Sequence, residues 1–245
     1  HLIKNVKAYL GVLRECFEFA AREKNLVTIG IKPAEPSSAY GYIEREVQGS
    51  GFRVQSFKGK TMRTKIFRAR RFLEKPDIQT ARRLVRSKRF YWNAGMFVWS
   101  ATAIREALEK HSPVHAMGWK KLQKNPRSYL KSGFQRLPKI SIDYAVMEKA
   151  PNIWVAAGTF DWDDLGSWPS LQAHLAGDAK RNCARGNALM MDTENCLVLG
   201  EKKLIATLGI RDLVIVQTRD ATLICHRHAA QRIKEIVRQL PKNLR

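Results

Sequence analysis

Four short stretches of this chain set rigid polar groups among apolar and aromatic residues. Open α/β sheets hold their ligands in such places, at strand ends. Tyr40-Gly41-Tyr42-Ile43-Glu44 puts a glycine between two aromatics, where a ligand can approach the backbone closely; the same residues also read as a plain tight turn. Phe72-Leu73-Glu74-Lys75-Pro76 sets a carboxylate beside an ammonium, stiffened by proline. The carboxylate can accept from sugar hydroxyls and the ammonium can meet a phosphate as a point charge. The alternative is a solvated ion pair ahead of a helix. Tyr91-Trp92-Asn93-Ala94-Gly95-Met96-Phe97 carries Asn93 as a lone amide in an apolar run. Once buried, that amide needs partners, from a sugar or from backbone groups, or it costs about 1–3 kcal/mol. Phe160-Asp161-Trp162-Asp163-Asp164-Leu165-Gly166-Ser167-Trp168 gathers three carboxylates in an otherwise positive chain. They suit a hard divalent cation such as magnesium, and equally the capping of a helix over Ser167–Leu175.

These groups need a scaffold, and the hydrophobic pattern supplies one. Leu2, Val6, Leu10, Leu13, Phe17 and Ala20 recur at helical spacing across His1–Lys24. Leu26–Ile31 (LVTIGI) then reads as a buried, β-branched strand, and helix followed by buried strand is an α/β signature. The pattern predicts a loop over Lys32–Gly41, strands at Tyr42–Glu46 and Lys65–Leu73, and a helix capped by Asp77 and running to Arg86. It further predicts a strand at Gly95–Trp99, a helix from Ser100 or Thr102 to Glu109, a short amphipathic helix over Ile142–Lys149 and a strand at Ile153–Ala157. After about Arg181 the texture changes to short strands at Asn187–Met191, Cys196–Leu199, Leu204–Leu208, Leu213–Gln217 and Ala221–Cys225, closed by a helix over Ala229–Leu240. That spacing predicts a compact all-β appendage beyond a boundary near residue 180.

Bulk composition narrows the classes. The 245 residues are 44% hydrophobic and 9% aromatic, which suffices for one sizeable core and argues against disorder. Apolar runs such as Ala94–Trp99 and Leu213–Val216 fall far short of the ~20 residues of a membrane span. Lys4 and Lys7 interrupt the opening stretch, so it does not read as a signal peptide. Cys16, Cys183, Cys196 and Cys225 lie far apart with no CxxC pair, which reads as free thiols in a reducing cytosol. The net charge of +22 suits an anionic partner (nucleic acid, an acidic membrane surface or a phosphorylated small molecule) or a solubility trait with no partner. The chain opens on His1 already inside a helical pattern, which reads as a fragment or a processed product.

Order adds what the separate stretches lack. FLEKP (Phe72–Pro76), WNAGMF (Trp92–Phe97), SIDYAVMEKA (Ser141–Ala150) and FDWDDLGSW (Phe160–Trp168), preceded by TIGIKPAEPSSAYGYIE (Thr28–Glu44), resemble the mannose-1-phosphate guanylyltransferases. These are sugar-phosphate nucleotidyltransferases, and the resemblance spans essentially the whole chain. It implies an α/β fold: a partial Rossmann-like, GT-A-like mixed sheet with flanking helices, plus a small C-terminal left-handed β-helix-like appendage. Residues 1–180 would be the sugar-phosphate half of the catalytic domain and 181–245 the appendage. The implied reaction joins mannose 1-phosphate to GTP, giving GDP-mannose and pyrophosphate, with Mg2+ as cofactor. Carried onto this sequence, Lys75 would bind the sugar phosphate and Glu74 the sugar hydroxyls. Gly41 would touch the sugar through its backbone, Tyr42 would shape the pocket, and Asn93 and Gly95 would complete it. Asp164, in the W-x-D-x-G pattern of Trp162–Gly166, would be one of two aspartates holding magnesium and, with Lys75, would carry the catalysis. The SIDYAVMEK stretch would line the same cleft, with no role assigned to Asp143 or Glu148. A cytoplasmic protein, no membrane partner and a homodimer accord with this reading.

Three departures qualify the resemblance. Ser38-Ala39 stands where the family has Thr-Gly. The balance is strongly basic, with 14 Lys or Arg between Arg53 and Arg89 against Glu74 and Asp77. The family's Gly-rich G-x-G-T-R-L-type triphosphate loop and its other magnesium aspartate precede the matched stretch and are not present, so the expectation is a chain inactive by itself. Rival readings are a nucleotidyltransferase for another sugar 1-phosphate, a non-catalytic remnant, and a basic nucleic-acid-binding protein. Against the last, no helix-turn-helix, zinc-finger or RRM signature appears, and the basic residues interleave with core patterns.

Overall fold

β1 (Leu26–Ile31) is buried along its whole length, as an unbroken apolar and β-branched run requires when both faces of a strand are covered. A computed structural model describes residues 1–21, 24–47, 53–57, 60–166 and 168–241. It divides the chain into two units: Ile3–Asp161, and His1–Leu2 with Trp162–Arg245. Among the described residues no helix is long and apolar enough to cross a membrane.

In the larger unit β1 lies within a six-stranded sheet ordered β2-β5-β1-β6-β4-β3. Its other strands are β2 (Tyr42–Arg45), β3 (Arg53–Phe57), β4 (Lys60–Leu73), β5 (Phe90–Val98) and β6 (Ile153–Ala157). β1 runs parallel to β6 and antiparallel to β5, so the sheet is mixed. β4 is long enough to pair with β6 over Ile66–Arg68 and then with β2 over Ala69–Leu73, which leaves β2 bonded along both edges.

Successive strand residues point to opposite faces. Ile153, Val155 and Ala157 enter a core with Leu26, Ile43, Phe67 and Phe72 of the sheet, Ala103 and Ala107 of α3 (Ala101–His111), and Ala145, Val146 and Met147. Trp154 faces the other way, edge-on to Phe19 of α1 (Val6–Ala20) with ring centroids 5.0 Å apart. α1 and α3 therefore cover opposite faces of the sheet. Each large side chain buried as completely as Leu26 contributes about 1.5–3 kcal/mol.

The helix expected over His1–Lys24 begins only at Val6, where Asn5 Oδ1 accepts from Ala8 N–H at 3.0 Å. Leu2 instead exchanges backbone hydrogen bonds with Asp163, and Arg22 and Glu23 lie outside the described residues. α2 (Ile78–Arg86) follows its Asp77 cap as expected. The expected strand at Gly95–Trp99 is only the end of β5, which starts at Phe90 because it finds partners on both edges, β1 and β2. α4 (Pro113–Lys124) and the short α5 (Pro126–Ser128) were not expected. The helix expected over Ile142–Lys149 is a single π-helical turn, Asp143–Met147, closed by Glu148 N–H to Asp143 C=O at 2.9 Å.

The smaller unit begins with α6 (Trp168–Gln172); its expected first residue, Ser167, lies outside the described residues. β7 (Cys183–Arg185), β9 (Leu197–Leu199) and β11 (Leu213–Gln217) form a parallel ladder, to which β12 (Thr222–His226) adds an antiparallel edge. β8 (Ala188–Met191) and β10 (Ile205–Leu208) form a second parallel pair. The chain turns its corners at Arg181, Asn195 and Asp212, whose φ values are 62°, 54° and 57°. Asn195 N–H meets Lys180 C=O and Asp212 N–H meets Glu194 C=O, so successive corners stack. Cys196, Val198, Ile205 and Ile215 fill the interior of this β-helix-like domain, and α7 (Ile233–Gln239) closes the described chain.

Candidate functional site

Strand pairing brings three of the four polar stretches together in the larger unit. β5 lies against β2, and Asn93 N–H donates to Gly41 C=O at 2.8 Å. β4 lies against the other edge of β2 with Leu73 opposite Tyr42, so Glu74 and Lys75 emerge beside Gly41. A Cβ on Gly41 would meet Glu74 Oε2 and stand 3.3 Å from Asn93 Cβ, so any larger residue here would make the Glu74 carboxylate shift. Tyr42 is fully buried. Its hydroxyl accepts from Ser37 N–H and donates to Ser37 C=O, both at 3.0 Å, which ties the Lys32–Gly41 loop to the strand. Ala39 N–H donates to Ser37 Oγ at 3.1 Å, so the Ser38-Ala39 variation sits in a loop with its own anchor.

Glu74 and Lys75 form an ion pair, Oε1 to Nζ 3.1 Å. Only 10% of the Glu74 side chain is exposed against 59% of Lys75, so the ammonium is the group that a solvent-borne ligand meets. Burial pushes the Glu74 carboxyl above its ordinary range; Lys75 opposes the shift, and Asp143 and Glu148 add to it. The hydrogen bond to Glu74 raises the Lys75 ammonium, which keeps its charge. Lys75 sits at φ 45°, a left-handed conformation costly for a residue with a Cβ.

Asn93 is held on both ends of its amide. Oδ1 accepts from Thr28 Oγ1 at 3.1 Å and from Gly95 N–H at 3.2 Å, while Nδ2 donates to Asp143 Oδ1 at 3.1 Å. Thr28 and Gly30 of β1 stand opposite Phe97 and Asn93, so the residues between bulge out of the ladder. Bulges re-aim side chains at functional sites. Gly95, at φ 66° with open space where a Cβ would be, supplies the backbone conformation of this bulge. Thr28, Asp143 and Glu148 had no role assigned from sequence. Glu148 Oε1 accepts the Glu74 N–H at 3.1 Å. Only the SIDYAVMEK wording pointed to the last two, since their partners lie 50 and 74 positions away.

The three carboxylates of the acidic stretch have separate fates. Asp161 accepts the N–H groups of Lys4 and Asn5 at 2.7 and 2.6 Å, which holds its carboxyl below the ordinary range and fixes the entry to α1. Asp163 takes Ser170 Oγ at 2.7 Å and His174 Nε2 at 2.6 Å, bracing α6. Asp164 Oδ1 accepts only a local bond of this kind, from Gly166 N–H at 3.0 Å, among those described. Asp164 belongs to the smaller unit, whereas Gly41, Tyr42, Glu74, Lys75, Asn93 and Gly95 lie in the larger. No cluster of three or more metal-ligating side chains occurs among the described residues. Magnesium does not need one: it keeps waters and takes one or two carboxylates plus substrate phosphates. A half-exposed, hard-oxygen Asp164 fits that demand.

A family model for nucleotidyl transferases matches residues 7–181, and one described as a mannoseP isomerase/GMP-like β-helix domain matches residues 186–240. Mannose-1-phosphate guanylyltransferase of Escherichia coli (strain K12) is 35% identical over 246 residues, covering 98% of this chain and 49% of that protein. Mannose-1-phosphate guanylyltransferase ManC of Salmonella typhimurium is 36% identical over 248 residues, again 98% of this chain and 49% of that protein. The chain thus spans about half the length of the curated relatives it matches. The solved structure described as mannose-1-phosphate geranyltransferase from Thermus thermophilus superposes with a TM-score of 0.79 at 30% identity, covering 97% of this chain and 66% of that one.

Proposed function

The chain belongs to the nucleotidyl transferase family, and on that premise we propose that the whole protein transfers the guanylyl group of GTP to mannose 1-phosphate. An oxygen of the sugar phosphate attacks the α-phosphorus of GTP, the bond to the β-phosphate breaks, and GDP-mannose and pyrophosphate are released. The observation that carries this reading is the Glu74–Lys75 pair set against Gly41 at the neighbouring strand end and against Asn93 within β5. Lys75 holds the phosphate as a point charge, with its ammonium secured by Glu74. Glu74 and the second Nδ2 hydrogen of Asn93 meet sugar hydroxyls, Gly41 and Gly95 let the ring approach the backbone, and Tyr42 stiffens the pocket wall. Such positioning, with charge neutralisation, is most of what phosphoryl-type transfer asks of a protein.

Asp164 is the carboxylate we assign to magnesium, which when bound would neutralise charge on the triphosphate. In this reading residues 1–180 are catalytic and 181–245 form the appendage. The four cysteines are free, in keeping with a reducing compartment, and we assign the protein to the cytoplasm. The test is the whole protein with GTP and a panel of sugar 1-phosphates, with GDP-sugar detected by chromatography. GDP-mannose is the expected product, and Lys75→Ala is expected to raise KM for mannose 1-phosphate at least about ten-fold. Turnover of another sugar 1-phosphate with mannose 1-phosphate inert would reassign the substrate. Assayed by itself, the 245-residue chain is expected to give no GDP-mannose, because the resemblance assigns the triphosphate to a Gly-rich loop upstream of the matched stretch.

A further inference from the structure

We propose that Asp143 and Glu148 are positioning residues of this site: Asp143 fixes which way the Asn93 amide faces, and Glu148 holds the Glu74–Lys75 corner in place. The role rests on reading Glu74, Lys75 and Asn93 as the sugar-phosphate site.

An amide has two ends of nearly equal size, so its facing is decided by partners. Gly95 N–H can only donate, and it meets Asn93 Oδ1. An ionised carboxylate can only accept, and Asp143 Oδ1 meets Asn93 Nδ2. Turning the amide over would set oxygen against the Asp143 carboxylate and an N–H against the N–H of Gly95. Asp143 thereby commits one Nδ2 hydrogen and aims the other, the one a sugar hydroxyl would accept. At the neighbouring corner Lys75 is left-handed at φ 45° and precedes Pro76, whose ring disfavours compact backbone in the residue before it. Such conformations persist where the surroundings over-determine them. The bond from Glu74 N–H to Glu148 Oε1, 3.1 Å long, is one such restraint and grips the residue next to Lys75.

One turn supplies both carboxylates. On an α-helix, residues five apart point about 140° away from each other. Here the wider turn closed by Glu148 N–H to Asp143 C=O lets both reach the site. Its middle residues Ala145, Val146 and Met147 are buried in the core, so the brace is anchored from below. π-turns of this kind are rare and frequent at functional sites.

Steady-state kinetics of the whole protein test the idea. Asp143→Ala and Glu148→Ala are each expected to raise KM for mannose 1-phosphate about ten-fold, with KM for GTP unchanged. Asp143→Ala should add nothing further in an Asn93→Ala background, nor Glu148→Ala in a Lys75→Ala background, because each acts through that partner. Asp143→Asn and Glu148→Gln keep an acceptor oxygen and should recover most of the loss; they also stand in should the alanine variants not fold. Additive effects in the double variants, or equal losses for both substrates with a lowered melting midpoint, would overturn the positioning role. If Lys75→Ala and Asn93→Ala raise KM for mannose 1-phosphate while changes at Asp143 and Glu148 are silent, the site reading stands and this inference alone fails. If Lys75→Ala and Asn93→Ala are themselves silent, both fall.

Discussion

A Cβ at Gly41 would meet the Glu74 carboxylate at Oε2 and crowd Asn93 Cβ at 3.3 Å. Gly41→Ala is therefore expected to turn the Glu74 carboxylate aside and raise KM for mannose 1-phosphate roughly ten-fold, about one lost hydrogen bond to a charged group. The melting midpoint checks that the fold survives. Glu74 carries a pH dependence whose sign follows from its raised pKa. It takes up a proton at a higher pH than the ~4.3 of a free glutamate and then ceases to pair with Lys75. Affinity for mannose 1-phosphate should fall on acidification before an ordinary glutamate would titrate, and Glu74→Gln should flatten that limb. The fold responds oppositely at this group: the stability contributed by protonated Glu74 is full below ~4.3 and is lost as pH rises through the folded pKa. A KM profile and a melting profile over the same range separate the two. The adjacent Glu74 and Lys75 were legible from sequence because the pair is local. Thr28, Asp143 and Glu148 were not, because their contacts depend on strand register and on a turn far along the chain.

Elements whose residues carry their own signals were read correctly. β1 and β6 announced themselves as short apolar runs, and Asp77 as the cap of α2. Ser100 or Thr102 could have capped α3; Ser100 does, accepting from Ala103 N–H at 3.1 Å. Ser100→Ala is expected to cost about 1 kcal/mol in denaturant unfolding, and Thr102→Ala far less. Elements set by their neighbours were misread. Asn93 and Gly95 broke the apolar pattern of β5, yet pairing on two edges outweighs that interruption and turns it into a bulge. α4 was not expected; it opens on Pro113, at a position where a missing N–H costs nothing. The π-turn at Asp143–Met147 has no pattern of its own, since a 3.6-residue period describes it as an ordinary short helix.

Across the whole molecule the net charge of +22 remains the feature that no part of the proposed chemistry requires. Its crowding is visible at Glu44, a buried carboxylate approached by Arg71 at 3.6 Å and Arg89 at 3.8 Å. Two guanidiniums sharing one carboxylate repel each other, and a chain this basic repels itself when folded. Raising the ionic strength from about 0.01 M to about 0.1 M shortens the Debye length from about 30 to about 10 Å. The melting midpoint is expected to rise across that interval; a fall would mean that attractive pairs dominate. The presence of both an α/β part and a β-helix-like part was legible in the change from long periodic segments to short strands, because each texture is local.

The left-handed backbone of Lys75 implies a trade between endurance and affinity at one position. Glycine would adopt φ 45° without strain, so the lysine is the worse residue for the fold and the better one for an anion. Lys75→Gly is expected to stabilise the protein by about 1 kcal/mol relative to Lys75→Ala, which keeps the strained Cβ, while both lose mannose 1-phosphate binding alike. A search for hardier variants that scored melting temperature alone would therefore drift toward glycine here, and would lose the ligand on the way.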